Sequence, residues 1–164
     1  MPTTRRSRTI AARPEQLWKV ISDPHHLPRW WPRVRRVEDV EDGAFTEVMM
    51  TAKGKAVRAD FDVVRLDERE LSLMWSQRLE GTPFGRLLSS AETEVTLTPV
   101  ADGPSEAASD AGADPGDASQ ATVVTIEMRQ RLTGFFPRFG GFMVRRAAAA
   151  TIDEALDGLG RISG

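Results

Sequence analysis

The side chains best suited to acid–base or metal chemistry are two adjacent histidines, His25 and His26, which follow an Asp-Pro pair. An imidazole at a break between helices can serve as a general base or as one ligand of a metal ion. The sequence has no cysteine, and no second or third ligand is evident near this pair. We therefore expect solvated loop histidines, with no metal site and no cofactor. The lack of cysteine also excludes disulfides and a thiol nucleophile, and the lack of tyrosine excludes any mechanism that needs a phenol.

Charged side chains alternate with apolar ones in the segment AVRADFDVV. Arg58, Asp60 and Asp62 share one face, and they would anchor a carbonyl or phosphate group if that face met a ligand. Because the apolar residues Phe61 and Val63 are expected to occupy the inner face of this predicted strand, we expect the charged side chains to lie on the outer face. A register shifted by one residue would reverse that assignment. No serine lies in a nucleophile-elbow pattern, so a Ser-His-Asp hydrolase has little support.

The composition is that of one soluble domain, residues 1–164, with a net charge of −2 that does not favour a nucleic-acid partner. No apolar stretch is long enough to span a membrane, and we expect a cytoplasmic protein without stable membrane insertion. The segment Ala101–Ala121 holds five acids, no base and no large apolar residue. Such a segment buries too little apolar surface to fold. We expect residues 101–121 to form an acidic, disordered hairpin loop within the domain.

The elements that must position these side chains follow from the hydrophobic periodicity. A strand is predicted at Thr3–Ile10, then a helix from Pro14 to the Asp-Pro break, and a second short helix at His25–Trp31. Six strands with period-two alternation follow, at 34–40, 45–52, 56–66, 71–77, 91–100 and 122–132. The period then changes to a helical one from Pro137 to Leu159. This order indicates an α+β fold in which one long helix lies on an antiparallel sheet.

The segment TIAARPEQLWKVISDPHHLPRWWPRV, from Thr9 to Val34, carries a family resemblance. It is similar to the opening of the START-like, or SRPBCC, superfamily, which includes polyketide cyclases and lipid-transfer domains. The resemblance implies a helix-grip fold, a curved seven-stranded antiparallel sheet wrapped around the C-terminal helix, with two short helices after the first strand. It also implies a cavity between sheet and helix that holds a lipid, a sterol or a polyketide.

The periodicity assigns an inner face to each strand and to the last helix, and methionine there suits a pocket that adapts to its ligand. Apolar stripes alone indicate a packed core as readily as a cavity, and the resemblance favours the cavity. The predicted ligand-binding residues are Trp31, Val48, Met50, Ala59, Phe61, Leu73, Trp75, Val124, Ile126, Met128, Phe136, Phe139, Met143 and Ala147.

Three classes of function remain open on these residues, one of them a protein-interaction or stress-response module that uses the same fold. We favour binding or carriage of a small hydrophobic molecule, and the alternative is an enzyme of the polyketide cyclase/aromatase type. Cyclisation needs a donor or an acid–base group aimed into the pocket, and the predicted inner faces carry no Arg, His, Asp or Glu.

Phenylalanines and arginines surround the start of the last predicted helix, at Phe135, Phe136, Arg138, Phe139, Phe142, Arg145 and Arg146. They could gate the cavity mouth or touch an anionic membrane transiently. We favour the simpler interpretation, that they anchor the beginning of the helix.

Overall fold

The computed structural model describes residues 2–51, 53–100, 121–134 and 140–163. The strands are β1 (Thr3–Ile10), β2 (Val34–Glu41), β3 (Ala44–Met50), β4 (Ala56–Asp67), β5 (Ser72–Gln77), β6 (Leu88–Pro99) and β7 (Thr122–Leu132). The helices are α1 (Pro14–Ile21), α2 (Leu27–Trp30) and α3 (Gly140–Ser163), with short 3-10 turns at Pro24–His26 and Pro83–Arg86. Each predicted strand is therefore present, with boundaries that differ by a few residues.

The strands form one antiparallel sheet in the order β1-β7-β6-β5-β4-β3-β2, which leaves β1 and β2 at the edges. Breaks in the pairing register occur between β2 and β3, between β4 and β5, and near the start of β6. Such bulges bend a strand and increase its twist. The predicted architecture, a curved seven-stranded sheet with one long C-terminal helix and short helices after β1, is confirmed.

Local sequence explains why α1 and α2 form where they do. Pro14 occupies the first turn of α1, where a missing N–H costs nothing, and Leu17 and Trp18 form part of its buried face. The side chain of Asp23 then accepts a hydrogen bond from the backbone N–H of His25 at 3.0 Å. That bond caps the turn before α2 and fixes the direction in which the chain continues.

Helix α3 packs against β1, β7 and α2. Its buried face includes Ala148, Ile152 and Leu156. At Gly158 the backbone of Trp30 comes so close that an added Cβ would lie 2.3 Å from the Trp30 carbonyl oxygen. The helix was predicted to start at Pro137; residues 135–139 lie outside the described residues, and α3 extends beyond the predicted end to Ser163.

The outer face of the sheet carries ion pairs, as the alternation in β4 predicts. Arg58 contacts Glu38 and Asp39, and the Arg78 guanidinium donates to the Asp62 carboxylate at 2.8 Å. The hydrogen bond from Arg78 lowers the pKa of Asp62. These charges are therefore engaged with one another on the surface, away from the interior of the sheet.

The segment 101–120 lies outside the described residues, so the predicted disorder of the acidic loop remains a prediction. The strands on either side of it are antiparallel neighbours, with Pro99 opposite Thr122. In the part of the chain that the structure describes, no helix is both long and apolar enough to cross a membrane.

Candidate ligand cavity

A cavity of about 320 Å³ lies between the inner face of the sheet and α3. Strands β3 to β7, the chain after α2, and α3 all contribute to its wall. The lining residues are Trp31, Pro32, Arg33, Glu47, Met49, Phe61, Trp75, Gln77, Phe84, Leu88, Ala91, Glu92, Thr93, Met128, Gln130, Ala147 and Thr151.

Aromatic rings form one side of this cavity. Trp31 meets Trp75 edge to face, with ring centroids 5.4 Å apart, and Phe61 stacks on Phe45 at 5.2 Å. Edge-to-face and stacked pairs are favourable arrangements of aromatic side chains. The rings therefore hold one another in place and present a rigid apolar surface to the cavity.

The inner face of β3 differs from the prediction by one residue. Phe45 pairs with Phe61 and Glu47 pairs with Ala59, so the odd-numbered residues of β3 share the inner face of β4. Val48 instead lies opposite Arg58, on the outer face, where it is buried without joining the main core. The prediction that Val48 and Met50 line the cavity is therefore wrong, and Met49 takes their place.

This shift brings Glu47 into the cavity, a residue that the sequence prediction missed. Glu47 is 2% exposed, and among the described residues its Oε1 atom finds no hydrogen-bond partner. Burial raises the pKa of Glu47 to about 8, because a carboxylate loses its hydration in an apolar environment. The carboxyl group is therefore mainly protonated at neutral pH.

The cavity wall also holds four uncharged polar side chains, beside the charged residues Arg33 and Glu92. Gln77 and Gln130 are half-buried, Thr93 is buried, and Thr151 faces the same space from α3. Together with Glu47 they provide a few hydrogen-bonding groups in an otherwise apolar wall. That combination is typical of sites for small molecules.

The structure brings together some of the predicted ligand-binding residues: Trp31, Phe61, Trp75, Met128 and Ala147 line the cavity. Others are packed in the core beside it: Ala59, Val124 and Ile126. Met143 was predicted to face the cavity but is 66% exposed, because the buried face of α3 is formed by other residues. Phe136 and Phe139 lie outside the described residues.

Leu73 belongs to a second cavity, of about 350 Å³, at the opposite end of the sheet. Trp75 contributes to both cavities, and Glu41, Asp42 and Arg65 lie at the rim of the second one. Within the described residues, neither of the two buried, unpartnered polar atoms belongs to a residue that lines it. The second cavity therefore gives weaker support for specific recognition.

The two histidines lie on the surface. Nδ1 of His25 is 2.9 Å from Oδ1 of Asp23. Burial works to raise the pKa of Asp23, but hydrogen bonds from His25 outweigh it and lower the pKa overall. Among the described residues, no three carboxylate or imidazole side chains come together as metal ligands would.

Three solved structures with a similar fold share little sequence with this chain. A two-domain aromatase/cyclase, BexL of the BE-7585A biosynthetic pathway, is 17% identical, with a TM-score of 0.74 over 98% of this chain and 46% of that chain. The protein XoxI from Bacillus cereus is 15% identical, with a TM-score of 0.71 over 99% and 96% of the two chains. A START superfamily protein from Mycobacterium smegmatis is 13% identical, with a TM-score of 0.69 over 98% and 96%.

A comparison with curated proteins gives no match. The family model described as "Polyketide cyclase / dehydrase and lipid transport" matches residues 1–163. The resemblance seen at Thr9–Val34 thus extends over nearly the whole sequence, and the chain belongs to the polyketide cyclase / dehydrase and lipid transport family.

Proposed function

We propose that the protein binds a small, mainly hydrophobic molecule in the cavity between the sheet and α3. The observation that carries this proposal is the space itself, about 320 Å³. Protein interiors are packed as densely as organic crystals and leave few voids larger than a water molecule. Small-molecule sites begin at roughly this size, so an open space here is better explained by a ligand than by imperfect packing.

The walls favour a lipid, a sterol or an aromatic polyketide-like molecule. Trp31, Phe61 and Trp75 offer flat apolar surfaces, and Met49 and Met128 add flexible ones. Burial of about 300 Å² of ligand surface at roughly 25 cal/mol/Å² contributes about 7 kcal/mol before the costs of association. After those costs we expect dissociation constants in the micromolar range.

Binding can be tested with a variant that narrows the cavity mouth. Ala147 lines the cavity and is also exposed, so a larger side chain there can be accommodated without disrupting the core. We expect Ala147→Trp to weaken binding of palmitate, cholesterol or a naphthyl ketone, whichever raises the melting temperature of the wild type. Ala150→Trp is the matched control, because Ala150 is exposed on the same helix but does not line the cavity.

Native mass spectrometry of the purified protein, followed by mass analysis of an organic extract, would identify a ligand carried through purification. The proposal predicts a co-purified molecule or a ligand-induced rise in melting temperature that Ala147→Trp reduces and Ala150→Trp preserves. A measured mass equal to that of the protein alone, together with no rise in melting temperature with palmitate, cholesterol or the naphthyl ketone, would contradict the proposal.

The alternative function is catalysis of the polyketide cyclase/aromatase type. One observation supports it, the presence of Glu47 in the cavity wall with a pKa of about 8. A group that titrates near neutrality can give and take protons during enolisation and loss of water. If this alternative holds, a poly-β-keto substrate incubated with the protein loses water, and Glu47→Gln binds the substrate without releasing the dehydrated product.

A further inference from the structure

The carboxyl group of Glu47 is isolated within the cavity wall. Its cross-strand neighbours are Val37 on β2 and Ala59 on β4, whose side chains carry no hydrogen-bonding atoms. Among the described residues its Oε1 has no partner, although buried polar atoms in folded proteins are nearly always satisfied. Glu47 lines the open cavity, so a molecule that fills the cavity lies next to the residue whose carboxyl group lacks a partner.

Among the described residues, the other charged groups that share the cavity wall are Arg33 and Glu92. Arg33 is exposed. Glu92 forms an ion pair with Arg129 on the outer face, with 3.6 Å between Glu92 Oε2 and Arg129 Nε. Burial is the cause of the raised pKa of Glu47. At neutral pH the Glu47 carboxyl is therefore mainly a neutral acid, whose O–H can donate a hydrogen bond.

Building on the proposed function, we propose that Glu47 is the residue that selects the ligand, and that it selects an uncharged molecule whose carbonyl oxygen accepts a hydrogen bond from the Glu47 carboxyl. The surrounding wall supports this choice, since Gln77, Thr93 and Gln130 are uncharged side chains that can offer further hydrogen-bonding groups to a ligand. A fatty-acid carboxylate at this position would place two acids together, which disfavours ionisation of both. A pure hydrocarbon would leave Glu47 without a partner.

The proposal is tested with three probes of nearly equal shape: methyl β-naphthyl ketone, β-isopropenylnaphthalene and β-naphthoate. The first has a carbonyl oxygen where the second has a methylene group, and the third replaces the methyl group by a charged oxygen. We expect isothermal titration calorimetry at neutral pH to show roughly two- to tenfold tighter binding of the ketone than of the hydrocarbon, the range for one hydrogen bond. The naphthoate is expected to bind most weakly.

The pH dependence gives a second readout that needs no variant. Neither the ketone nor the hydrocarbon titrates, so a change in their relative affinity reports on the protein. The preference for the ketone should be constant below the Glu47 pKa of about 8. It should decline as the pH rises through that value, because an ionised carboxylate no longer donates.

Two substitutions separate the hydrogen bond from the shape of the side chain. Glu47→Gln keeps a donor, and we expect it to retain the preference for the ketone and to lose the pH dependence. Glu47→Met is similar in length but has no donor, and we expect equal affinity for the ketone and the hydrocarbon.

Equal binding of ketone and hydrocarbon by the wild type at every pH, or tightest binding of the naphthoate, would overturn the role of Glu47 while leaving a hydrophobic binding site intact. Binding of none of the three probes would contradict the role of Glu47, and if palmitate and cholesterol also fail to raise the melting temperature, the proposed function is contradicted as well.

Discussion

A glutamate in the interior of a sheet lowers the stability of the fold unless its environment compensates. Glu47 is surrounded by apolar strand neighbours, and burial raises the pKa of its carboxyl from 4.5 to about 8. Residues that break the usual packing rules are concentrated at functional sites. In this protein the exception lies in the wall of the cavity, and it provides the polar group that the predicted inner faces lacked.

The pH dependence of stability follows from the direction of that shift. Between pH 4.5 and about 8 the folded protein keeps a proton on Glu47 that the unfolded chain releases. The contribution of Glu47 to the free energy of unfolding therefore decreases as the pH rises through this window. We expect Glu47→Gln to remove this decrease. As the pH rises through the window, the free energy of unfolding of Glu47→Gln should therefore increase relative to that of the wild type, by up to about 1.4 kcal/mol per pH unit.

Urea denaturation of both proteins at several pH values within that window measures the difference directly. Glu80→Gln is the matched control for the loss of one acid, because Glu80 is exposed in the loop after β5. A difference between Glu47→Gln and the wild type that varies with pH no more than that of Glu80→Gln would mean that the Glu47 carboxyl is not desolvated.

At the scale of single elements, the close approach of α2 and α3 requires a glycine. A Cβ at Gly158 would lie 2.3 Å from the Trp30 carbonyl oxygen and 2.8 Å from the Trp30 Cα. These are backbone atoms, so relief of the clash requires the two helices to move apart. We expect Gly158→Ala to lower the free energy of unfolding by about 1 to 3 kcal/mol, the usual cost of overpacking.

Gly160 provides the control two residues later on the same helix. No atom lies within 4 Å of an added Cβ at that position. Gly160→Ala should therefore gain up to about 1 kcal/mol from the better helix propensity of alanine. Thermal or urea unfolding of Gly158→Ala and Gly160→Ala measures the difference in their stability. Equal effects of the two substitutions would contradict the close contact between α2 and α3.

The elements were predictable from sequence because their signals are local. Period-two alternation indicated the strands, and the Asp-Pro pair marked the end of α1. The face of β3 was not predictable in the same way, because AFTEVMM offers apolar residues on both faces. The prediction chose the face without a charge, whereas the pairing of Phe45 with Phe61 determines the opposite one. Phe45, the one aromatic residue of this segment, favoured the correct face.

At the scale of the whole molecule, the family resemblance at Thr9–Val34 predicted the architecture, and hydrophobic periodicity could not predict the cavity. A side chain that packs in the core and one that lines a cavity occupy equivalent positions in the pattern. Ile126 and Met128, for example, are two residues apart and therefore lie on the same face of β7. Ile126 is nevertheless packed in the core, whereas Met128 lines the cavity. Only the curvature of the sheet and the position of α3 distinguish them.

The methionines allow the central claim to be tested at known positions. Met49 and Met128 line the cavity. The sulfur of Met74 accepts a hydrogen bond from Arg129 on the outer face, and Met143 is exposed. In a protein labelled with ¹³C at the methionine methyl groups, we expect methyl β-naphthyl ketone to shift the signals of Met49 and Met128 through the ring current of the probe. The signals of Met74 and Met143 should remain in place. A shift confined to Met143, or no shift of Met49 and Met128 at saturating probe, would contradict a ligand site between the sheet and α3.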